Sequence, residues 1–241
     1  MERKNFMSPA SSRIVGYAVV TAGFLTLAYG LTMLSAVLNF LGLDGASLST
    51  VADFVARNST ALHLSLVSTM VGYVLAVPMM LIITEAAFGG QTDQPRRKSF
   101  ALGLVWASLP LRPLWWLAII TLLPTVMAVS GPEADPATAV ATFTGYQMLT
   151  AFLNAVTEDI AVNILGGGWF VIVGLAIVAR RSMPALLGWI GCVIGAMYLV
   201  SSSEIFGIPF GTGGNFIPMV AGVAGPFWLG AAGFLAVRRV F

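Results

Sequence analysis

Six apolar runs, at about 14–38, 62–86, 99–129, 162–179, 184–203 and 217–237, leave this chain few ways to fold. A helix needs roughly 20 apolar residues to cross a hydrocarbon core, and these runs are of that order. Lipid offers nothing to an open backbone group, so each run must satisfy its own hydrogen bonds as a helix; barrel strands would be about half as long. Of the 241 residues 58% are hydrophobic and 9% charged, against about 25% charged in a soluble domain. The expectation is all-α: one transmembrane domain, 1–241, folded as a polytopic helical bundle. Its six transmembrane helices fall at about 14–38, 62–86, 113–130, 162–179, 184–203 and 217–237, with short amphipathic helices on the outer face over 48–61 and 138–161.

The opening "MERKNFMSPASSR" is too polar for a signal-peptide core, and the run from Ile14 is too long for one, so it reads as a retained helix. Six crossings put both termini on one side. On that side fall Arg3, Lys4 and Arg13, then Arg96, Arg97 and Lys98, then Arg180 and Arg181, then Arg238 and Arg239. The other side carries Asp44, Asp53, Glu133, Asp135, Glu158, Asp159 and Glu204, against Arg57. The positive-inside rule makes the basic side cytoplasmic, which implies a multi-pass protein of a bacterial cytoplasmic (inner) membrane with both termini in the cytoplasm.

The segment 99–130 admits two readings. At 1.5 Å per residue it would span about 48 Å, beyond a core of about 30 Å. Either it is one kinked helix with Arg112 near mid-depth, or an interfacial helix over 99–109 followed by a crossing at 113–130. The second is preferred, because it leaves Arg112, Trp115 and Trp116 at the headgroups and buries no unpaired cation.

Glu158 and Asp159 stand just ahead of the fourth apolar run. Consecutive residues of an α-helix are turned about 100° apart, so at most one should point into the bundle, with both about one turn outside the hydrocarbon. With Asn154 and Asn163 they form a polar arc. A charged helix start accounts for that arc, since acids favour a first turn. The functional reading adds His63 and Glu204, making a candidate outer pocket of His63, Asn154, Glu158, Asp159, Asn163 and Glu204. Glu85 is expected to pair with Arg112 or with the basic cluster 96–98.

Cofactor chemistry finds little support. One cysteine, Cys192, and one histidine, His63, permit no intrachain disulfide, thiolate cluster or bis-histidine haem. Lysine occurs only at Lys4 and Lys98, so the last helix has none for a Schiff base. No cofactor and no metal are expected. Gly191 and Gly195 form a small-x-x-x-small step suited to close helix packing.

The stretch "EDIAVNILGGGWFVIVGLAIVARRSMPALLGWIGCVIGAMYLV", 158–200, has a recognisable order: acids, a Gly- and Phe-containing helix, a basic turn at Arg180, Arg181 and Ser182, then P-x-x-L-G at Pro184, Leu187 and Gly188. With the ending "AGPFWLGAAGFLAVRR" it resembles, over about 140–239, the bacterial membrane-protein family known as domain of unknown function 4386. The resemblance implies a helical layout and a bacterial setting, and carries no activity. Members often place histidine beside the acid where this chain has Glu158 and Asp159, so a metal or haem site does not carry over.

Without a catalytic constellation, the chain reads as an accessory or structural subunit or a small-molecule binder rather than an enzyme. A small-solute transporter, and a redox or lipid- or quinone-acting subunit with an outer-leaflet pocket, are the alternatives. Expected partners are membrane lipids, with another membrane subunit or a second copy of the chain as candidates; nothing suggests nucleic acid.

Overall fold

A computed structural model describes residues 9–41, 48–89, 94–129, 135–203 and 216–241. The described residues are helical almost throughout: α1 (Pro9–Leu41), α2 (Leu48–Phe88), α3 (Pro95–Ser108), α4 (Leu114–Val129), α5 (Pro136–Asn154), a π-helical segment (Ala155–Gly166), α6 (Gly167–Arg180), α7 (Ala185–Ser201) and α8 (Phe216–Val240). Helices Ala10–Gly30, Arg57–Phe88, Pro136–Arg180 and Met219–Val240 are long and apolar enough to cross a membrane. The protein is thus a multi-pass all-α membrane bundle.

The count of six helices differs from these four, for two local reasons. The run 99–129 is broken at 109–113, leaving helices of 14 and 16 residues, and α7 has 17 residues. The short helix expected over 48–61 is marked off by a break: the backbone leaves helical geometry at Asn58 (φ −121°, ψ 16°), so α2 is two helices joined at a kink, and there Asn58 Nδ2 donates to the Phe54 carbonyl. The helix expected over 138–161 is not separate. Residues 138–161 run through α5 and the π segment directly into α6.

Neighbouring helices run antiparallel. Gly23 of α1 faces Met79 of α2, and Gly30 faces Thr69. Gly16, near the start of α1, faces Val237 and Phe241 at the end of the chain. The tightest seam joins α6 to α7: a β-carbon at Gly195 would lie 2.6 Å from the Gly167 carbonyl oxygen, and one at Gly174 2.6 Å from that of Gly188. Helices in lipid associate through such close approach, since lipid tails are as apolar as leucine. At the end of α6, Arg181 takes a left-handed conformation (φ 49°) and turns the chain into α7.

The main core lies where α2, α6, α7 and α8 meet. Trp169, Phe170 and Trp228 pack edge-on or tilted at 5.0–6.0 Å, and Trp169 Nε1 donates to Thr84 Oγ1 at 2.9 Å. A second core joins Leu62 and Leu66 of α2 to Trp115, Trp116, Ile119 and Leu123 of α4. Between these two cores the bundle is hollow.

Candidate functional site

The hollow begins with a proline pair. Pro110 and Pro113 cannot donate backbone hydrogen bonds, so the helix cannot continue from α3 to α4. The chain makes tight turns instead, with Leu111 N and Arg112 N both donating to the Ser108 carbonyl. Thr157, from the π segment, fastens this break. Its hydroxyl donates to the Leu111 carbonyl at 2.9 Å and accepts from the Trp115 N–H at 3.2 Å. A foreign hydroxyl thus stands where one helical hydrogen bond would run, a recognised cause of a sharp kink.

The break turns Arg112 inward, where it is only 6% exposed. Its Nε donates to Ser108 Oγ at 3.1 Å, and its Nη2 contacts Met80 Sδ at 3.5 Å. The π segment lies directly against this side chain: a β-carbon at Gly166 would lie 3.5 Å from Arg112 Nη2. There Glu158 Oε1 accepts from the Tyr73 hydroxyl at 2.8 Å, and Asp159 Oδ1 accepts from Asn163 Nδ2 at 3.2 Å. Tyr198 of α7 reaches across to donate to the Ala221 carbonyl of α8 at 2.9 Å.

These groups line a partly open cavity of about 260 Å³. Its polar lining is Arg112, Tyr73, Tyr198, Glu158, Asp159, Asn163 and Ser201; Leu27, Met80, Phe170, Pro226 and Leu229 are among its apolar walls. Tyr73 lies at the middle of the helix Arg57–Phe88, so its partner Glu158 is level with the middle of that helix. In a π-helix each turn holds more residues, so consecutive side chains diverge by less than the roughly 100° of an α-helix. Both acids line the cavity for that reason, where the α-helical reading allowed one.

The expected pocket residues therefore separate. Glu158, Asp159 and Asn163 line the cavity; His63 and Asn154 do not. His63 is exposed, and its Nδ1 lies 2.8 Å from the Ser59 carbonyl of its own helix, so that nitrogen donates. Glu204 lies outside the described residues. Among the described residues no three His, Cys, Asp or Glu side chains come together as a metal site would require. Glu85 pairs with Lys98 at 2.7 Å, not with Arg112. Gly191 packs on the Trp228 ring, and Gly195 on Gly167 and Phe170.

Arg112, Tyr73 and Thr157 were not among the expected site residues. Pro110 and Pro113 carry the signal for a break whose freed backbone groups some side chain must meet, here Thr157; Arg112 stands inside that break.

Fold and cavity together define a polytopic all-α membrane protein with a polar chamber inside its bundle. No family model, no curated protein and no solved structure matches the chain. The likeness over 140–239 noted above therefore rests on motif order alone.

Proposed function

We propose that this protein binds a small molecule within the membrane, in the cavity between the α3–α4 break and the π segment. The observation that carries the reading is Arg112, a guanidinium buried inside the bundle against Met80 of the Arg57–Phe88 span and lining a chamber that also holds Glu158. Charged side chains inside a bilayer are costly, face bundle interiors or watery cavities, and mark ligand or ion paths. Glu158, Asp159 and Asn163 of the π segment are the proposed binding residues, together with Arg112 and with Tyr73, which is bonded to Glu158.

The membrane layout that fits best keeps six crossings. α7 has 17 residues but lies antiparallel along α6 and against α8, so it shares their depth. α3 and α4 together make the interrupted third crossing. The continuous helix of 45 residues, Pro136–Arg180, measures up to about 68 Å at 1.5 Å per residue, so its outer part stands beyond a core of about 30 Å as a cap. The basic clusters then sit on the cytoplasmic side of a bacterial inner membrane, with both termini. On a Cys192→Ala background, Thr138→Cys should react with an impermeant thiol reagent from outside, and Arg96→Cys should not.

The binding reading is tested by a structure of protein extracted in native-lipid discs. Density touching Arg112 and Glu158 supports it. Ordered water alone in the chamber sinks it.

A transport reading draws on one further observation, the interrupted α3–α4 helix lining the cavity, since broken helices frame many transporter sites. Solute flux in proteoliposomes that falls with Glu158→Gln would favour it over static binding.

A further inference from the structure

We infer that the cavity takes a small zwitterion of amino-acid size, with its anionic group on the free edge of Arg112 and its cationic group facing Glu158. This rests on the reading of the cavity as a ligand site.

A guanidinium carries five N–H donors. Nε is used by Ser108 Oγ, and Nη2 meets only a thioether, a weak acceptor, at Met80. Among the described residues the remaining donors find no acceptor. The side chain is only 6% exposed and lines the cavity. A buried guanidinium with an open planar edge is a fork for a carboxylate or a similar oxyanion.

The obvious internal anion does not fill that fork. Arg112 and Glu158 line the same cavity, yet among the described residues they form no ion pair within 4.0 Å. Each is tethered to its own wall, Arg112 to Ser108 and Glu158 to Tyr73. Glu158 Oε2 accepts no bond among the described residues, and Asp159 adds a second carboxylate to the same wall. The chamber thus presents one cation and two carboxylates in one lining, with Arg112 and Glu158 not joined as an ion pair. An anion alone would satisfy Arg112 but face the acids, and a cation alone would leave the guanidinium open. A molecule with both charges satisfies each wall.

Size and lining narrow the class. About 260 Å³ holds the volume of roughly eight or nine waters, at about 30 Å³ each. Leu27, Phe170, Pro226 and Leu229 leave the sides apolar. That suits a short branched or aliphatic body between or beside the charged groups, as in an apolar α-amino acid.

The test uses three probes with one carbon skeleton: leucine, 3-methylbutylamine, which lacks the carboxylate, and 4-methylpentanoate, which lacks the amine. Binding to the purified full-length protein in detergent is measured by calorimetry. Leucine should bind at least about tenfold tighter than either truncated probe, the scale of one lost charge-assisted contact. Arg112→Gln should weaken leucine and 4-methylpentanoate by about tenfold or more and leave 3-methylbutylamine unchanged. Glu158→Gln should do the reverse for the two truncated probes. If Arg112→Gln does not fold, Arg112→Lys, which keeps the charge and loses the fork, should show the same pattern with a smaller loss. Either truncated probe binding as tightly as leucine overturns the zwitterion and leaves a one-charge ligand site. No binding by any probe, with density filling the chamber in native-lipid discs, overturns the zwitterion alone. No binding with a water-filled chamber overturns the ligand site as well.

Discussion

From Gly167 to Arg180 the long inner helix meets α7 through glycines and carbonyl oxygens, close enough that an added β-carbon at Gly174 or Gly188 would strike the facing backbone. From Ala155 to Gly166 the same helix widens and turns a hydroxyl, two carboxylates and an amide toward its neighbours. The first stretch is held by shape, backbone against backbone. The second is held by directed bonds and leaves a chamber. One continuous helix can do both because the change in hydrogen-bond register falls where the glycine run Gly166–Gly168 begins. There Gly167 lies against Tyr198 and Gly195. Close packing below fixes the helix in place, so the polar groups above stand at set distances without needing to pair with one another.

The largest expected effect tests the dry half. Gly195→Leu would push a β-carbon to 2.6 Å from the Gly167 carbonyl oxygen and 2.8 Å from Phe170 Cβ. Overpacking of this kind costs about 3 kcal/mol and can cost more. Gly222→Ala is the control: nothing lies within 4 Å of its would-be β-carbon, so it should cost no stability and, as alanine favours a helix interior, gain up to about 1 kcal/mol. Reversible unfolding in mixed micelles measures both. Equal effects would mean that the α6–α7 seam is not held by shape.

Next comes the fastening of the polar half. Thr157→Val keeps the shape and removes the hydroxyl that serves the Leu111 carbonyl and the Trp115 N–H. An unsatisfied buried group costs about 1–3 kcal/mol, so a loss of about 2 kcal/mol is expected. Thr121→Val is its partner experiment: that hydroxyl bonds back to the Leu117 carbonyl of its own helix, which stays satisfied without it, so the change should be under about 0.5 kcal/mol. A Thr157 variant as stable as the Thr121 variant would show that the break needs no clamp.

The dry half was legible in the sequence and the polar half only in pieces. Small residues four apart, such as Gly191 and Gly195, announce close approach because the spacing alone brings them to one face. Glu158, Asp159 and Asn163 were visible as a polar arc, but their direction was not. The α-helical angle between neighbours fails in a π segment, and nothing local marks that change of register. Arg112 was assigned to the headgroups because an unpaired buried cation is costly. Its support comes from Ser108 on its own turn and Met80, 32 residues away in sequence, and only the second of these is a tertiary fact. His63 drew interest as the sole histidine, yet its ring bonds back to its own helix and faces outward.

The smaller effect expected within the chamber is Tyr73→Phe. It removes one hydrogen bond to Glu158 and leaves the ring on Trp116, at 5.6 Å between centroids. The net loss for one such bond is about 1 kcal/mol. If the acid wall is positioned by Tyr73, the variant should also weaken leucine relative to 4-methylpentanoate. A stability loss with no change in that ratio would confine Tyr73 to packing.

The smallest effect lies at the outer end of the polar half, where α5 begins. Asp135 caps that helix: its Oδ2 accepts from Thr138 N at 2.9 Å and from Thr138 Oγ1 at 3.0 Å. The Thr138 N–H first, and its hydroxyl second, hold the carboxyl below the usual aspartate range. A depressed acid stabilises the fold above its unfolded pKa, about 3.9, and that contribution fades as the pH falls through the lower folded value. Acidification below about pH 4 should therefore loosen the first turn of α5 while the glycine seam of α6 and α7, which contains no acid, stays closed. Asp135→Asn keeps a good cap and removes the titration. Amide hydrogen exchange over 136–140 and over 168–176, compared between the two proteins on acidification, separates the cases. Protection lost at 136–140 in the native chain but retained in Asp135→Asn assigns the pH response to the cap. The same loss in both would assign it to another acid of the polar half, and a loss at 168–176 would mean that the dry half is not independent of it.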